Sequence, residues 1–215
     1  MGKIVLATIT ISGSAKWLLK VGGNKEKWYG SDRIFMYVMT VFGAMTVNYS
    51  EQCTEYGWVV SNLRLLAGCL LAGGLLSAAY MDRRNCWVYN YVWWWCLPWA
   101  GILGLTAGGG FHGIVAVLVF VMLQQLLFSR MYGKADCHAF SVCALAECGN
   151  AVGMVGFLLQ MFLSVVLLTI VQLFRGNVTP RGRLREPQPF IPYIITAFFS
   201  VTFLESVFRT TYIYA

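Results

Sequence analysis

The sequence predicts an all-helical, polytopic transmembrane bundle of about six to seven spans, and three observations carry that prediction. Apolar residues make up 58% of the 215-residue chain and charged residues only 12%, where a soluble domain carries about 25% charged residues. The mean hydropathy of +0.64 is spread along the chain rather than confined to one segment. Several apolar stretches approach the roughly 20 residues that a helix needs to cross the hydrocarbon layer. Seven such spans use about 140 residues, which leaves no room for a separate soluble catalytic domain, so any chemistry sits at or within the bilayer. The aromatic share of 15% and the absence of a glycine period exclude disordered and collagen-like classes.

In chain order, the first 22 residues mix a short apolar run, Ile4 to Ile11, with Ser12, Gly13, Ser14, Lys16 and Lys20, a pattern that predicts an interfacial helix. Basic residues mostly follow that run, which disfavours a cleaved signal peptide. Spans are read at 34–49, 57–81, 86–106, 111–129, about 136–149, 151–174 and 190–208. The segments 111–129 and 151–174 run about 20 residues without a charge and are identified by hydropathy alone. The segments 34–49 and 136–149 are short, and the latter carries Asp136, His138 and Glu147, so its burial requires protein neighbours. Residues 1–56 are read as an N-terminal extension holding the interfacial segment and one span, and 57–215 as a membrane catalytic domain.

Orientation follows from the positions of Lys and Arg. With the loop after residue 81 in the cytoplasm, alternating spans place Lys16, Lys20, Lys25, Lys27, Arg33, Arg83, Arg84, Arg130, Lys134, Arg175, Arg181, Arg183 and Arg185 inside. Of the 16 basic residues only Lys3, Arg64 and Arg209 remain. The net charge of +7 therefore reads as orientation and attraction to anionic membrane lipid; no basic-aromatic module for nucleic acid is present in the sequence. The seven cysteines form no Cys-x-x-Cys pair. The group Cys137, His138, Cys143 and Cys148 matches no zinc spacing, and no metal site is assigned.

Two of the nine acidic residues stand where a span meets the cytoplasm. Asp82 directly follows the run 57–81, and Asp136 lies 54 residues on. That interval accommodates one outward and one inward span and returns the chain to the same face. Carboxylates at a membrane are costly to ionise, and two close together do not both ionise readily near neutral pH. A shared proton suits an aspartyl protease, in which the ionised partner activates water and the protonated one hydrogen-bonds the peptide carbonyl. The charges alone are equally met by a solvated helix end for Asp82 beside Arg83 and Arg84, and by pairing of Asp136 with Lys134 or His138.

The flanking residues add a resemblance. The stretch Asp82-Arg83-Arg84-Asn85-Cys86-Trp87-Val88-Tyr89-Asn90 resembles the first aspartate motif of the type IV prepilin peptidases, in which an Asp and basic residues precede Ile/Val-Pro-Asn, with Tyr89 in place of Pro. Gly133-Lys134-Ala135-Asp136-Cys137-His138 resembles the second, G-x-G-D-x-K, with Ala135 for the second Gly and His138 for Lys. Pro189-Phe190-Ile191-Pro192 is similar to the family's Pro-Phe-Gly-Pro segment. The three occur in the family's order and cover roughly residues 57–208. Ala135 keeps a small residue before the aspartate, and His138 supplies a titratable donor in place of a permanently charged Lys.

The resemblance implies a membrane aspartyl endopeptidase at the cytoplasmic face of a bacterial or archaeal membrane, cleaving pilin-like precursors after a Gly between a basic leader and an apolar helix. Asp82 and Asp136 are its catalytic pair, and Asn90, Gly133, Lys134, Ala135, His138, Pro189 and Phe190 shape the site or hold substrate. It implies no metal or organic cofactor. The zinc domain of larger members, with its two Cys-x-x-Cys pairs, has no counterpart here, so N-methyltransferase activity is unsupported. The alternative of another class is a small transporter that uses the two aspartates to bind a cation or relay protons, although no related halves are evident.

Remaining features have bland readings. Glu147 shares a helix face with Asp136 but lies about 16 Å along the axis, and it points either into a polar interior or to the outer surface with Asn150. Cys143 reads as helix packing. The cluster Trp87, Trp93, Trp94, Trp95 and Trp99 reads as lipid-facing or packing, Gly73-Gly74 as close helix contact and Gly108-Gly109-Gly110 as an external turn.

Overall fold

A computed structural model describes residues 2–22, 30–52, 57–107, 110–130, 133–148, 153–175 and 188–214. The described residues form helices without strands: α1 (Gly2–Val21), α2 (Gly30–Gln52), α3 (Trp58–Asn85), α4 (Asn90–Thr106), α5 (Gly110–Leu126) with a 3-10 turn at Phe128–Arg130, α6 (Lys134–Glu147), α7 (Gly153–Phe174) and α8 (Ile191–Tyr214). The chain is all-helical. Five helices are long and apolar enough to cross a membrane: Gly2–Val21, Trp58–Asn85, His112–Arg130, Val155–Phe174 and Ile191–Phe208. At 17 residues α4 is shorter, and α6 has only 14.

The N-terminal segment, expected to be an interfacial helix, is long and apolar enough to cross a membrane. It is one continuous helix of 20 residues that buries Ala7, Ile11, Ala15, Leu18 and Leu19. Its polar residues do not prevent this, because Thr8, Thr10, Ser12 and Ser14 each donate to a carbonyl three or four residues back in the same helix. Hydroxyl protons satisfied locally cost little in an apolar surround.

Side-chain contacts between helix ends fix an up-and-down arrangement. At one end, Tyr91 of α4 donates to the Leu18 carbonyl of α1 at 2.9 Å, Arg83 and Arg84 of α3 reach Asp32 of α2, and the start of α8 meets the end of α3. Trp93 of α4 also faces His138 of α6 there, with ring centroids 6.0 Å apart. At the opposite end, Arg64 of α3 donates to Thr106 and to the Leu103 carbonyl of α4, and Thr202 of α8 donates to Glu147 of α6 at 3.1 Å. Lys16, Lys20, Arg33, Arg83, Arg84, Arg130, Lys134 and Arg175 therefore fall at the first, charged end, with Arg64 at the other. Lys25, Lys27, Arg181, Arg183 and Arg185 lie outside the described residues.

The hub is α3, which packs on α1, α2, α4 and α8. Glycine makes this possible. A Cβ on Gly73 would collide with Ser14 and lie 2.9 Å from the Ile11 carbonyl of α1, and one on Gly74 would press on Cys96 and, at 3.0 Å, on the Trp95 ring of α4. The pair thus lets two neighbours approach α3 backbone to backbone, as small residues do in apolar bundles. One core cluster joins residues on both sides of the 56/57 boundary, from Ala7 and Met36 to Ala79, Phe140 and Phe199.

Candidate active site

Asp82 occupies the last turn of α3, which extends to Asn85, four residues beyond the end at 81 read from the sequence. The helix stops at Cys86, which has a left-handed φ of 50° and whose N–H donates to the Asp82 carbonyl, and residues 87–89 lead into α4 with Tyr89 extended at its N-cap. The Asp82 side chain is only 6% exposed. Its Oδ2 accepts a 2.9 Å hydrogen bond from the Ile191 N–H, the first residue of α8. A helix start presents unpaired N–H groups and partial positive charge, so the carboxylate is well matched to that place. Pro192 in the first turn of α8 lacks an N–H and costs nothing there.

The solvated helix end weighed for Asp82 is not what forms. Arg83 and Arg84 both turn to Asp32, each at 3.3 Å, and stack their guanidinium groups over Phe35 and Tyr80. Asp82 is left among neutral partners. Asp32, which sequence reasoning did not single out, is thus what keeps the adjacent cations off the candidate site.

Asp136 is in the first turn of the short α6, outside the five long apolar helices. Its Oδ2 accepts from the Gly133 N–H at 3.2 Å, so the carboxyl also caps its own helix. Among the described residues it pairs with neither Lys134, which is exposed, nor His138. Burial, and then the negative charge of Asp82, push the Asp136 carboxyl up from its ordinary 3.8 to about 7, against the opposing pull of the Gly133 N–H. Packing brings the two helix ends together: Phe140, one turn beyond Asp136, meets Phe190 edge to face with centroids 5.9 Å apart, and Phe190 precedes the residue that donates to Asp82.

The other predicted residues distribute around this pair. Phe190 is buried and Pro189 half-buried beside it, while Ala135 packs at the edge of the core. Asn90 and His138 stand on the wall of a cavity of about 350 Å³ between α4, α5 and α6, together with Trp93, Trp94, Leu97, Val121, Gln125, Ser141 and Val142. Its polar members belong to the Asp136 end of these helices, its apolar members to their middle. His138 Nδ1 is buried with no hydrogen-bond partner among the described residues. Trp93 was read from the sequence only as lipid-facing or packing, and Gln125 and Ser141 were not singled out. A glutamine near the end of the apolar α5, and a serine one turn beyond His138 on α6, were the available signal.

Glu147 settles into the interior, 4% exposed and bonded to Thr202, at the end of the bundle opposite the aspartates. Asn150 lies outside the described residues. Among the described residues no group of three or more His, Cys, Asp or Glu side chains is arranged to hold a metal ion. No family model, curated protein or solved structure matches the chain.

Proposed function

We propose that this chain is a membrane-embedded aspartyl endopeptidase that removes the leader of pilin-like precursors at the cytoplasmic face of a bacterial or archaeal membrane. One observation supports the reading: Asp82 at the end of α3 and Asp136 at the start of α6 are gathered at one end of the bundle through Phe190 and Ile191, where burial and then the Asp82 charge raise the Asp136 carboxyl, with no cation paired to either among the described residues. The chain crosses the membrane six to seven times in this reading, with the first turn of α6, which carries Asp136, facing water at the cytoplasmic end.

The pair holds one proton. Its ionised member takes a proton from water as the water oxygen attacks the scissile carbonyl carbon, while the protonated member donates to the carbonyl oxygen. Collapse of the tetrahedral species breaks the C–N bond, and a proton passes to the leaving amine. Which carboxyl acts as base is a property of the coupled pair. The cavity lined by Trp93, Trp94, Leu97 and Val121 accepts the start of the precursor's apolar helix, and Asn90, Gln125, His138 and Ser141 supply hydrogen bonds to the unwound backbone just before it. The mechanism uses no metal or organic cofactor.

Co-expression of a pilin-like precursor with wild type, Asp82→Asn and Asp136→Asn tests the proposal. A shortened precursor with wild type alone supports it, and equal processing in all three overturns it. The buried Glu147, on the same helix as Asp136 and beside a second cavity of about 60 Å³, favours the transporter alternative. That reading predicts cation or proton flux in liposomes that Glu147→Gln abolishes.

A further inference from the structure

The charged end holds a second cleft, which the aspartates do not touch. It lies between α1 and α2, has a volume of about 230 Å³, and is lined by Ser12, Lys16, Arg33, Met36, Tyr37 and Thr40. Two cations from different helices therefore share one concave site. Both are exposed, and neither forms an ion pair among the described residues. Arg83 and Arg84 differ in this respect, since they consume the one neighbouring carboxylate, Asp32. The hydroxyls of Ser12 and Thr40 donate into their own helices, so attraction for a ligand rests on the two positive charges. Bringing two unneutralised cations into one cleft is unfavourable without an anion between them.

The surroundings identify the anion's source. Exposed apolar side chains flank the cleft and continue toward the opposite end on both helices: Val5 and Ile9 on α1, and Val41 on α2. A free phosphate has no use for that surface, whereas acyl chains do. We propose that this cleft binds the phosphodiester headgroup of an anionic phospholipid between Lys16 and Arg33, with its chains laid along the exposed faces of α1 and α2. A guanidinium clasps two phosphate oxygens at once and an ammonium adds a point charge, the combination that basic pockets near a cytoplasmic surface use for lipid headgroups. The N-terminal extension thereby gains a role independent of proteolysis, as a lipid-held flank of α3.

Tyr37 lines the cleft and is 66% exposed, so Tyr37→Trp provides the readout; the ring of Trp17, next to Lys16, packs instead on Trp95 of α4. Full-length protein is reconstituted into phosphatidylcholine bilayers containing equal mole fractions of either phosphatidylglycerol or phosphatidylcholine brominated on the acyl chains, and the quenching that Tyr37→Trp adds to that of wild type is compared. Brominated phosphatidylglycerol should quench the added ring more strongly. That excess should vanish when Lys16→Gln/Arg33→Gln is combined with Tyr37→Trp, and persist with Arg130→Gln, which removes another exposed cation at the same end. Helical circular dichroism confirms that each variant is folded. No excess in Tyr37→Trp, its survival with the double substitution, or equal loss with Arg130→Gln overturns the proposal. Abolition of the excess by inorganic phosphate at millimolar concentration overturns the assignment to lipid.

Discussion

The Asp82 carboxylate of α3 accepts a hydrogen bond from the Ile191 N–H at the start of α8, 109 residues away in sequence. The same group is thus a structural clasp and a candidate catalytic acid, and the two roles separate by substitution. Asp82→Asn keeps an acceptor oxygen and removes the charge, so the protein should fold and lose proteolysis. Asp82→Ala also leaves the Ile191 N–H buried without a partner, at a cost of about 1–3 kcal/mol. Melting in detergent should rank wild type near Asp82→Asn, with Asp82→Ala lower.

Stability should fall with rising pH through the titration of Asp136. Its folded carboxyl binds a proton more tightly than the unfolded chain does, with a pKa of about 7 against 3.8. The contribution to stability is complete below 3.8 and is lost as pH rises toward 7. Asp136→Asn, which keeps the cap on Gly133, should therefore melt above wild type at alkaline pH, with the gain shrinking in acid. Proteolysis, which requires the singly protonated pair, should decline above about pH 7.

Filling the cavity beside His138 should act on substrate binding. Leu97 lines it and is half exposed, so Leu97→Trp occupies the space without disturbing the buried core. KM for precursor should rise while kcat and melting temperature stay close to wild type, the signature of lost uniform binding.

Two backbone positions give stability tests of opposite sign. Gly73→Val forces α1 and α3 apart at Ser14 and Ile11 and should cost about 1–3 kcal/mol. Cys86→Gly relieves a left-handed residue that a Cβ disfavours and should stabilise by roughly 1 kcal/mol or less.

Hydropathy made the helices legible because each apolar run must satisfy its backbone internally. It understated the length of apolar helix in α1, where hydroxyls that look polar in sequence close onto their own helix. The two aspartates were legible by spacing, since 54 residues return the chain to one face. What sequence hid was the pairing around them. Arg83 and Arg84 adjoin Asp82 but serve Asp32, fifty residues upstream, and Asp82 serves α8 instead. Contacts this distant have no periodicity to betray them. The place of Trp93 beside His138 was hidden for a related reason, because only the approach of α6 decides which tryptophan of the cluster faces that ring.

The coupling of the two carboxyls can be measured without substrate. In protein labelled with carbon-13 at the aspartate carboxyl, titration followed by NMR reports the Asp136 pKa in wild type and in Asp82→Asn. Loss of the Asp82 charge should lower that pKa from about 7. An Asp136 titration that does not move when Asp82 is replaced would contradict a shared site, and the proteolytic mechanism with it.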